Sequence, residues 1–150
     1  MANHVTAPKN SELVLKTYIK LMRAAESVTV RSHKHLYNEQ LSFGQFAVIE
    51  ALYHLGSLCQ KDLAEKILKT ARNITMIVDN LEKRGLVRRE RDTDDRRFLN
   101  VHLTDAGKKL FEKVFPNHIG FLEQEMRILS SNELEELGRL CRILGTQKKS

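Results

Sequence analysis

Tryptophan is absent from this chain, and the other large aromatics are few: three tyrosines and six phenylalanines in 150 residues. Stacking on unpaired bases therefore does not dominate any reading of its function. Two prolines and seven glycines leave little material for turns, which favours long helices. The two cysteines, Cys59 and Cys141, stand far apart and match no zinc-ligand spacing, so neither a disulfide framework nor a metal centre is expected. No apolar run approaches the ~18 residues that cross a bilayer. The opening MANHVTAPKNSE lacks the apolar stretch of a secretory signal. A cytoplasmic protein with no membrane partner is expected. Also missing are a phosphate-binding glycine loop, a dinucleotide fingerprint, a zinc-protease motif and a nucleophile motif. Glu12, Glu26, Glu133, Glu135 and Glu136 fall on polar helix faces and read as solubility. No enzyme and no cofactor is expected.

What is present is positive charge. The formal net charge of +6 and pI near 9.4 favour an anionic partner without naming it. The length suits one domain with a real core. Val14, Tyr18, Leu21, Met22, Ala25 and Val28 recur at steps of three and four, predicting a helix from Ser11 to about Asn38. At 1.5 Å per residue it would run ~40 Å, more than a small core needs, so part of it is expected to pack on another chain. Ser42 and Gln45 form a capping box, with Leu41 and Phe46 placed to staple it. Phe46, Ile49, Leu52 and Tyr53 make the buried stripe of that helix, and Gly56 ends it. A short extended piece, Leu58 to Gln60, precedes a brief helix to Leu68 burying Leu63, Ala64 and Ile67. Thr70 caps a helix to Arg84, closed by Gly85, with Ile74, Ile77, Val78 and Leu81 on its apolar face. Two strands, 86–91 and 98–103, flank a tip from Asp92 to Arg97 without an apolar residue. Thr104 caps a long helix in which Pro116 is expected to cause a kink or split near Phe115. Ser130 and Glu133 box the last helix, striped by Leu134, Leu137, Leu140 and Leu144 and ended by Gly145, with a basic tail over 146–150.

The fold class this predicts is mainly α with a small β-hairpin. The order helix, turn, helix, strand, wing, strand over 40–104 makes a winged helix-turn-helix, and 11–38 and 105–145 are left as dimerisation helices. The exposed side of the helix after Thr70 would enter a major groove, where base edges carry distinct donor and acceptor patterns. That nominates Thr70, Arg72, Asn73, Thr75 and Met76, with Asp79 and Lys83 further along the same face. Arg72 suits guanine, Asn73 suits adenine, and Met76 suits a thymine methyl. A polar face is ordinary on any exposed helix; the wing shifts the balance. From Lys83 to Arg97 seven Lys or Arg face four acids, and six of the seven are arginines, whose planar forks suit phosphates and narrow grooves. Arg88, Arg96 and Arg97 are the wing candidates. Asp95 is read as orienting Arg97 or a strand arginine, against the simpler reading that Asp favours turns.

The run GLVRRERDTDDRRFLNVHLTDAG resembles the MarR/SlyA winged-helix regulators, in which D-x-R, a strand and L-T-x-x-G follow one another. Here these are Asp95-Arg96-Arg97 and Leu103 to Gly107. NITMIVDNLEKRGLV is similar to the family's recognition helix, and the likeness extends from Ser11 to Gly145. The resemblance implies an obligate homodimer built from the first and the last two helices, and a palindromic double-stranded DNA site. It also implies that Arg97 reaches the minor groove, with Arg96 beside it. It further implies a repressor released by a small phenolic or lipophilic effector or by cysteine oxidation. The FPNH stretch, Phe115 to His118, is similar to a branch answering to quinones.

His33, Tyr37, Phe43 and Phe46 are the candidate lining of an effector cavity between the dimer arms and the DNA-binding part; ordinary core is the favoured alternative. Cys59 is a candidate redox sensor, set against burial in an apolar strand, and Cys141 reads as interface packing. Peroxide-sensing relatives carry a first-helix cysteine that this chain lacks. His33 and His35, two apart, cannot share a helix face, which disfavours zinc held by one helix. The rival readings are a winged-helix protein-interaction module and a thiol-based redox-responsive repressor.

Overall fold

The computed structural model describes residues 8–67 and 69–149. Helix α1, Lys9–Ser32, leads through a 3₁₀ helix, Lys34–Glu39, into α2, Phe43–Leu55. A two-residue strand β1, Leu58–Cys59, precedes α3, Gln60–Lys66, and α4, Ala71–Lys83. The hairpin β2, Val87–Arg91, and β3, Leu99–Leu103, then gives way to α5, Asp105–Met126, and α6, Ser131–Thr146. Among the described residues no helix is long and apolar enough to cross a membrane.

The first helix ends earlier than its periodicity suggested. After Val28 no apolar residue falls at helical spacing until Leu36, and Leu36 is buried in the core. The chain tightens into the 3₁₀ turn to deliver it. Gln40 closes that turn in the left-handed conformation (φ 55°), so α1 and α2 are separate rods with a fixed joint.

Local signals set α2. Ser42 Oγ accepts the Gln45 amide at 3.1 Å, and Gln45 Oε1 accepts the Ser42 amide at 3.0 Å. Leu41 and Phe46 are both buried beside that box. The core joins Phe46, Val48, Ile49 and Leu52 of α2 to Leu63 of α3, Ile74, Val78 and Leu81 of α4, and Phe111 and Val114 of α5. Tyr53, expected in the stripe, is only half-buried, its hydroxyl donating to Glu112 at 3.0 Å. α3 stops at Lys66; Leu68, the expected end, lies outside the described residues.

The extended piece before α3 became a third strand. β1 pairs antiparallel with β3 (Leu58 with Val101), and β3 pairs with β2 (Val87 with Leu103, Arg91 with Leu99), in the order β1-β3-β2. The hairpin is thereby anchored, through the middle of β3, to the start of the helix-turn-helix.

The expected split of α5 does not occur, and the expected end of α6 moves by one residue. α5 runs through Pro116 without a break: the carbonyl that loses its donor belongs to Glu112 on the exposed side, where water can satisfy it. α6 continues past Gly145 to Thr146 and closes on left-handed Gln147, whose amide side chain donates to the Leu144 carbonyl at 2.6 Å.

Candidate nucleic-acid interface

α4 is built to begin sharply and stop sharply. Thr70 Oγ1 accepts the Asn73 amide at 3.2 Å, fixing the first turn. At the other end Gly85 is left-handed (φ 71°), the Leu86 amide bonds back to Leu81 O at 3.0 Å and the Gly85 amide to Glu82 O at 2.9 Å. This helix stop requires φ > 0 at the glycine position. Ile74, Val78 and Leu81 bury one face. Arg72, Asn73, Met76, Asn80 and Lys83 are left exposed, Met76 with 57 % of its surface in solvent.

Two expected members of that face are otherwise engaged. Thr75 is half-buried and its hydroxyl accepts from Gln60 Nε2 of α3 at 2.8 Å. Asp79 is paired with Arg89 Nη2 at 2.6 Å. The same guanidinium lies 3.0 Å from Glu82 Oε1, while Glu82 Oε2 accepts the Arg89 backbone amide at 2.7 Å. α4 and wing strand β2 are thus clamped together. The Arg89 bonds hold the Glu82 carboxyl below the usual range and raise the Arg89 guanidinium further.

The wing tip is organised by aspartates. Asp92 Oδ1 accepts the amides of Asp94 and Asp95 at 2.8 and 3.0 Å, and Oδ2 accepts Asn100 Nδ2 at 2.9 Å. Asp95 accepts Arg97 Nε at 3.0 Å and Nη2 at 2.7 Å, one contact to each carboxylate oxygen. Both carboxyls are held below their ordinary range, Asp92 chiefly by the Asp95 amide and Asp95 chiefly by the Arg97 guanidinium. Arg91 Nη1 donates to the Arg96 carbonyl at 2.8 Å. The Arg97 side chain stays 86 % exposed.

Of the seven cations from Lys83 to Arg97, only Lys83 and Arg96 have side chains without a partner among the described residues. Arg84 donates to backbone carbonyls, Arg88 pairs with Glu90 at 2.9 Å, and Arg89, Arg91 and Arg97 are held as above. The Asp92 turn answers to the simpler reading of the tip aspartates as turn formers, but the Arg89 clamp and the Arg84 contacts were not anticipated; Glu82 and Arg89, seven apart across a glycine stop, were the visible signal for the clamp.

The four candidate effector residues do not share one cavity. His33 stacks on Phe43 with ring centroids 4.1 Å apart, but Phe46 is core and Tyr37 is 77 % exposed. A third histidine joins them. His118 of α5 is buried, 3.1 Å from His35 Nε2 through its Nδ1, and its ring lies 4.5 Å from Phe46. Burial first, then the neighbouring His35 and His33, lowers His118 to about 4. Among the described residues no group of three His, Cys, Asp or Glu is placed to hold a metal ion. A recess of about 420 Å³ opens beside these rings, lined by His35, Asn38, Val114, Asn117 and Phe121. Cys59 is half-buried and its sulfur accepts the Asp62 amide at 3.4 Å as the cap of α3; Cys141 is exposed on α6.

A helix presenting Arg72, Asn73 and Met76 beside a cationic hairpin is the arrangement of a winged helix-turn-helix transcriptional regulator. The profile of the MarR family matches residues 41–98. The HTH-type transcriptional regulator MhqR of Bacillus subtilis (strain 168) is 32 % identical over 139 residues, covering 93 % of this chain and 96 % of that protein. The S. aureus MepR–DNA complex superposes with a TM-score of 0.74 at 25 % identity, covering 87 % of this chain and 96 % of MepR. NadR in complex with 4-hydroxyphenylacetate gives 0.72 at 25 % identity over 96 % of both chains. The chain belongs to the MarR family.

Proposed function

We propose that this protein is a homodimeric, cytoplasmic repressor of a palindromic double-stranded operator, released by a small phenolic or quinone-like effector. The observation that carries the dimer is the state of α6. Among the described residues α6 buries none of its own, although Leu137, Leu140 and Leu144 stripe it. α1 likewise exposes Leu13, Val14, Tyr18 and Met22. Apolar faces of that extent are covered by a partner in a stable protein, and a second copy brings the matching faces.

Two copies would present two α4 helices about one DNA turn apart, ~34 Å. Thr70, Arg72, Asn73 and Met76 would probe the groove, Thr75 would shape the turn, and Lys83, Arg88, Arg96 and Arg97 would hold the backbone or the minor groove, with Asp95 orienting Arg97. The phenolic effector is supported by the 4-hydroxyphenylacetate bound to NadR and by the flat rings of His35 and Phe121, stacked with centroids 4.5 Å apart. A recess of about 420 Å³ is the size of a small-ligand site. An effector acts only by binding one spacing of the two helices better than the other.

The test is a gel shift on duplex fragments from upstream of the chain's own gene, repeated with a phenolic acid, a quinone, an oxidant and a reductant. A shifted band of dimer stoichiometry, dispersed by the phenol or quinone alone, supports the proposal. Release by oxidant reversed by reductant would transfer the switch to a thiol. No shift on any duplex, with a protein partner captured instead, would make the wing a protein-docking surface.

A further inference from the structure

The recognition helix is held at its far end by a contact unlike those of the wing. Arg84, which closes α4, sends Nη1 to the backbone carbonyl of Gln40 at 2.7 Å and Nη2 toward that of Glu39 at 3.4 Å. These carbonyls end the 3₁₀ helix that joins α1 to α2. The joint is stiff on its own account. The Gln40 amide donates to Tyr37 O and the Leu41 amide to Leu36 O, both at 3.0 Å, and Leu36 and Leu41 are buried. The Glu39 carboxylate is in turn gripped by Lys113 Nζ of α5 at 3.0 Å. One short segment is therefore tied to α1 by the chain, to α5 by Lys113 and to α4 by Arg84.

The neighbouring Lys83 shows the division of labour. Its side chain is exposed and has no partner among the described residues, whereas Arg84 is committed to main-chain oxygens. A guanidinium fork on two carbonyls reports the position of the backbone itself, whereas an ammonium, a point charge with rotating donors, fixes no such direction. The carbonyl end of a helix also favours a cation.

We propose that Arg84 is a positioning residue for DNA binding: it fixes the angle at which α4 leaves the α1–α5 arm, and through it the distance between the two recognition helices. This rests on the dimer reading above. Without Arg84 the helix-turn-helix stays folded, held by its core, but rocks about the joint. The pair of recognition helices then accepts a range of half-site separations instead of one.

The experiment measures affinity for a set of palindromes whose half-sites are moved apart or together by one base pair, ~3.4 Å of rise each, and for a lone half-site. Wild type is expected to favour one separation by about tenfold or more, within the usual span of coupling between sites. Arg84→Ala, dimeric and cooperatively folded, is expected to bind the best site more weakly and to discriminate less than about threefold. Arg84→Lys, which keeps the charge but not the planar fork, is expected to fall between; if the alanine variant does not fold, the lysine variant decides. Lys83→Ala should weaken every separation alike. Unchanged discrimination in folded Arg84 variants, even with lower affinity throughout, overturns the inference and leaves the dimer reading intact. Wild type that binds a lone half-site as tightly as the palindrome overturns both.

Discussion

Arg97 donates through Nε and Nη2 to the two carboxylate oxygens of Asp95, at 3.0 and 2.7 Å, with 86 % of its side chain still in solvent. A pair so exposed contributes little to folding. On the reading proposed above, its role would be to hold the guanidinium in one orientation at the wing tip before a partner arrives. Arg97→Ala is expected to lower operator affinity about tenfold or more, the scale of one well-made groove contact, with an unchanged melting temperature. Asp95→Ala should cost a smaller factor, roughly threefold to tenfold, since the cation remains but must be ordered on binding. Fluorescence anisotropy on a labelled operator separates the two. Wild-type affinity in Asp95→Ala would reduce that residue to a turn former.

How much of this could be read from the sequence divides by distance along the chain. The Ser42–Gln45 and Ser130–Glu133 boxes, the Thr70 and Thr104 caps and the Gly85 stop all act within one turn, so residue type and spacing decide them. The Asp95–Arg97 pair is local too. The bend after Ser32 was not legible, because it depends on where Leu36 finds its pocket. Nor was the allocation of arginines: Arg84, Arg89 and Arg97 look alike in sequence, yet one meets carbonyls 44 and 45 residues away, one clamps α4 and one faces solvent. The gathering of His33, His35 and His118 needed α5 folded against the 3₁₀ joint.

The Glu82–Arg89 clamp should behave as a structural ion pair. Arg89→Ala leaves Glu82 and Asp79, three apart on one face of α4, without their shared cation, while the Glu82 bond to the backbone amide of residue 89 remains. Discounted for partial exposure, the loss is expected to be about 1 kcal/mol. The Glu82 carboxyl is held below its unfolded value, so its contribution is complete above the ordinary glutamate range and disappears as pH falls through the lowered value. Glu82→Gln should remove that part of the acid sensitivity. An identical pH profile for Glu82→Gln would show that the pairing carries no stability.

Gly107 marks the closest approach of α5 to the chain leaving α4. A Cβ there would lie 2.2 Å from the Leu86 carbonyl oxygen, and that carbonyl already accepts the Thr104 amide at 3.1 Å. Backbone cannot step aside cheaply, so Gly107→Ala is expected to destabilise by about 1–3 kcal/mol or more. Gly120, in the same helix with nothing within 4 Å, is the internal comparison: Gly120→Ala should stabilise by about 0.5–1 kcal/mol. Thermal unfolding reads both. Equal effects at the two sites would mean that helix propensity, not the Leu86 contact, governs Gly107.

Buried His118 makes stability depend on pH in one direction. It is lowered to about 4, first by burial and then by His35 and His33, against 6.5 when unfolded. Between those values the unfolded chain holds a proton that the folded chain refuses. The His118 contribution is therefore complete above pH 6.5 and falls as pH drops toward 4, by at most about 3 kcal/mol at about 1.4 kcal/mol per unit and by less to the extent that solvent screens the ring. His118→Phe, which keeps a flat ring against Phe46, should flatten denaturant midpoints across that window. A profile as steep as wild type would assign the acid loss to other groups.

Leu140 lies on the uncovered stripe of α6, 48 % exposed in the single chain, beside a groove of about 470 Å³ that Leu21, Ala25, Val28, Leu137 and Cys141 help to line. If a second copy fills this surface, a carboxylate at its centre is buried without a partner. Leu140→Glu is then expected to shift the protein to monomer at micromolar concentration, since a buried unpaired charge costs several kcal/mol. DNA binding should fall with it, because each half-site alone supplies only half of the phosphate contacts. For the wild-type dimer, with ~6–10 such contacts, log affinity should decline against log salt with a slope of about −5 to −9. In the monomer the slope should be about half as steep. Sedimentation equilibrium and a salt titration measure these quantities separately. A Leu140→Glu protein that remains dimeric with the full slope would place the dimer contact elsewhere than on α6.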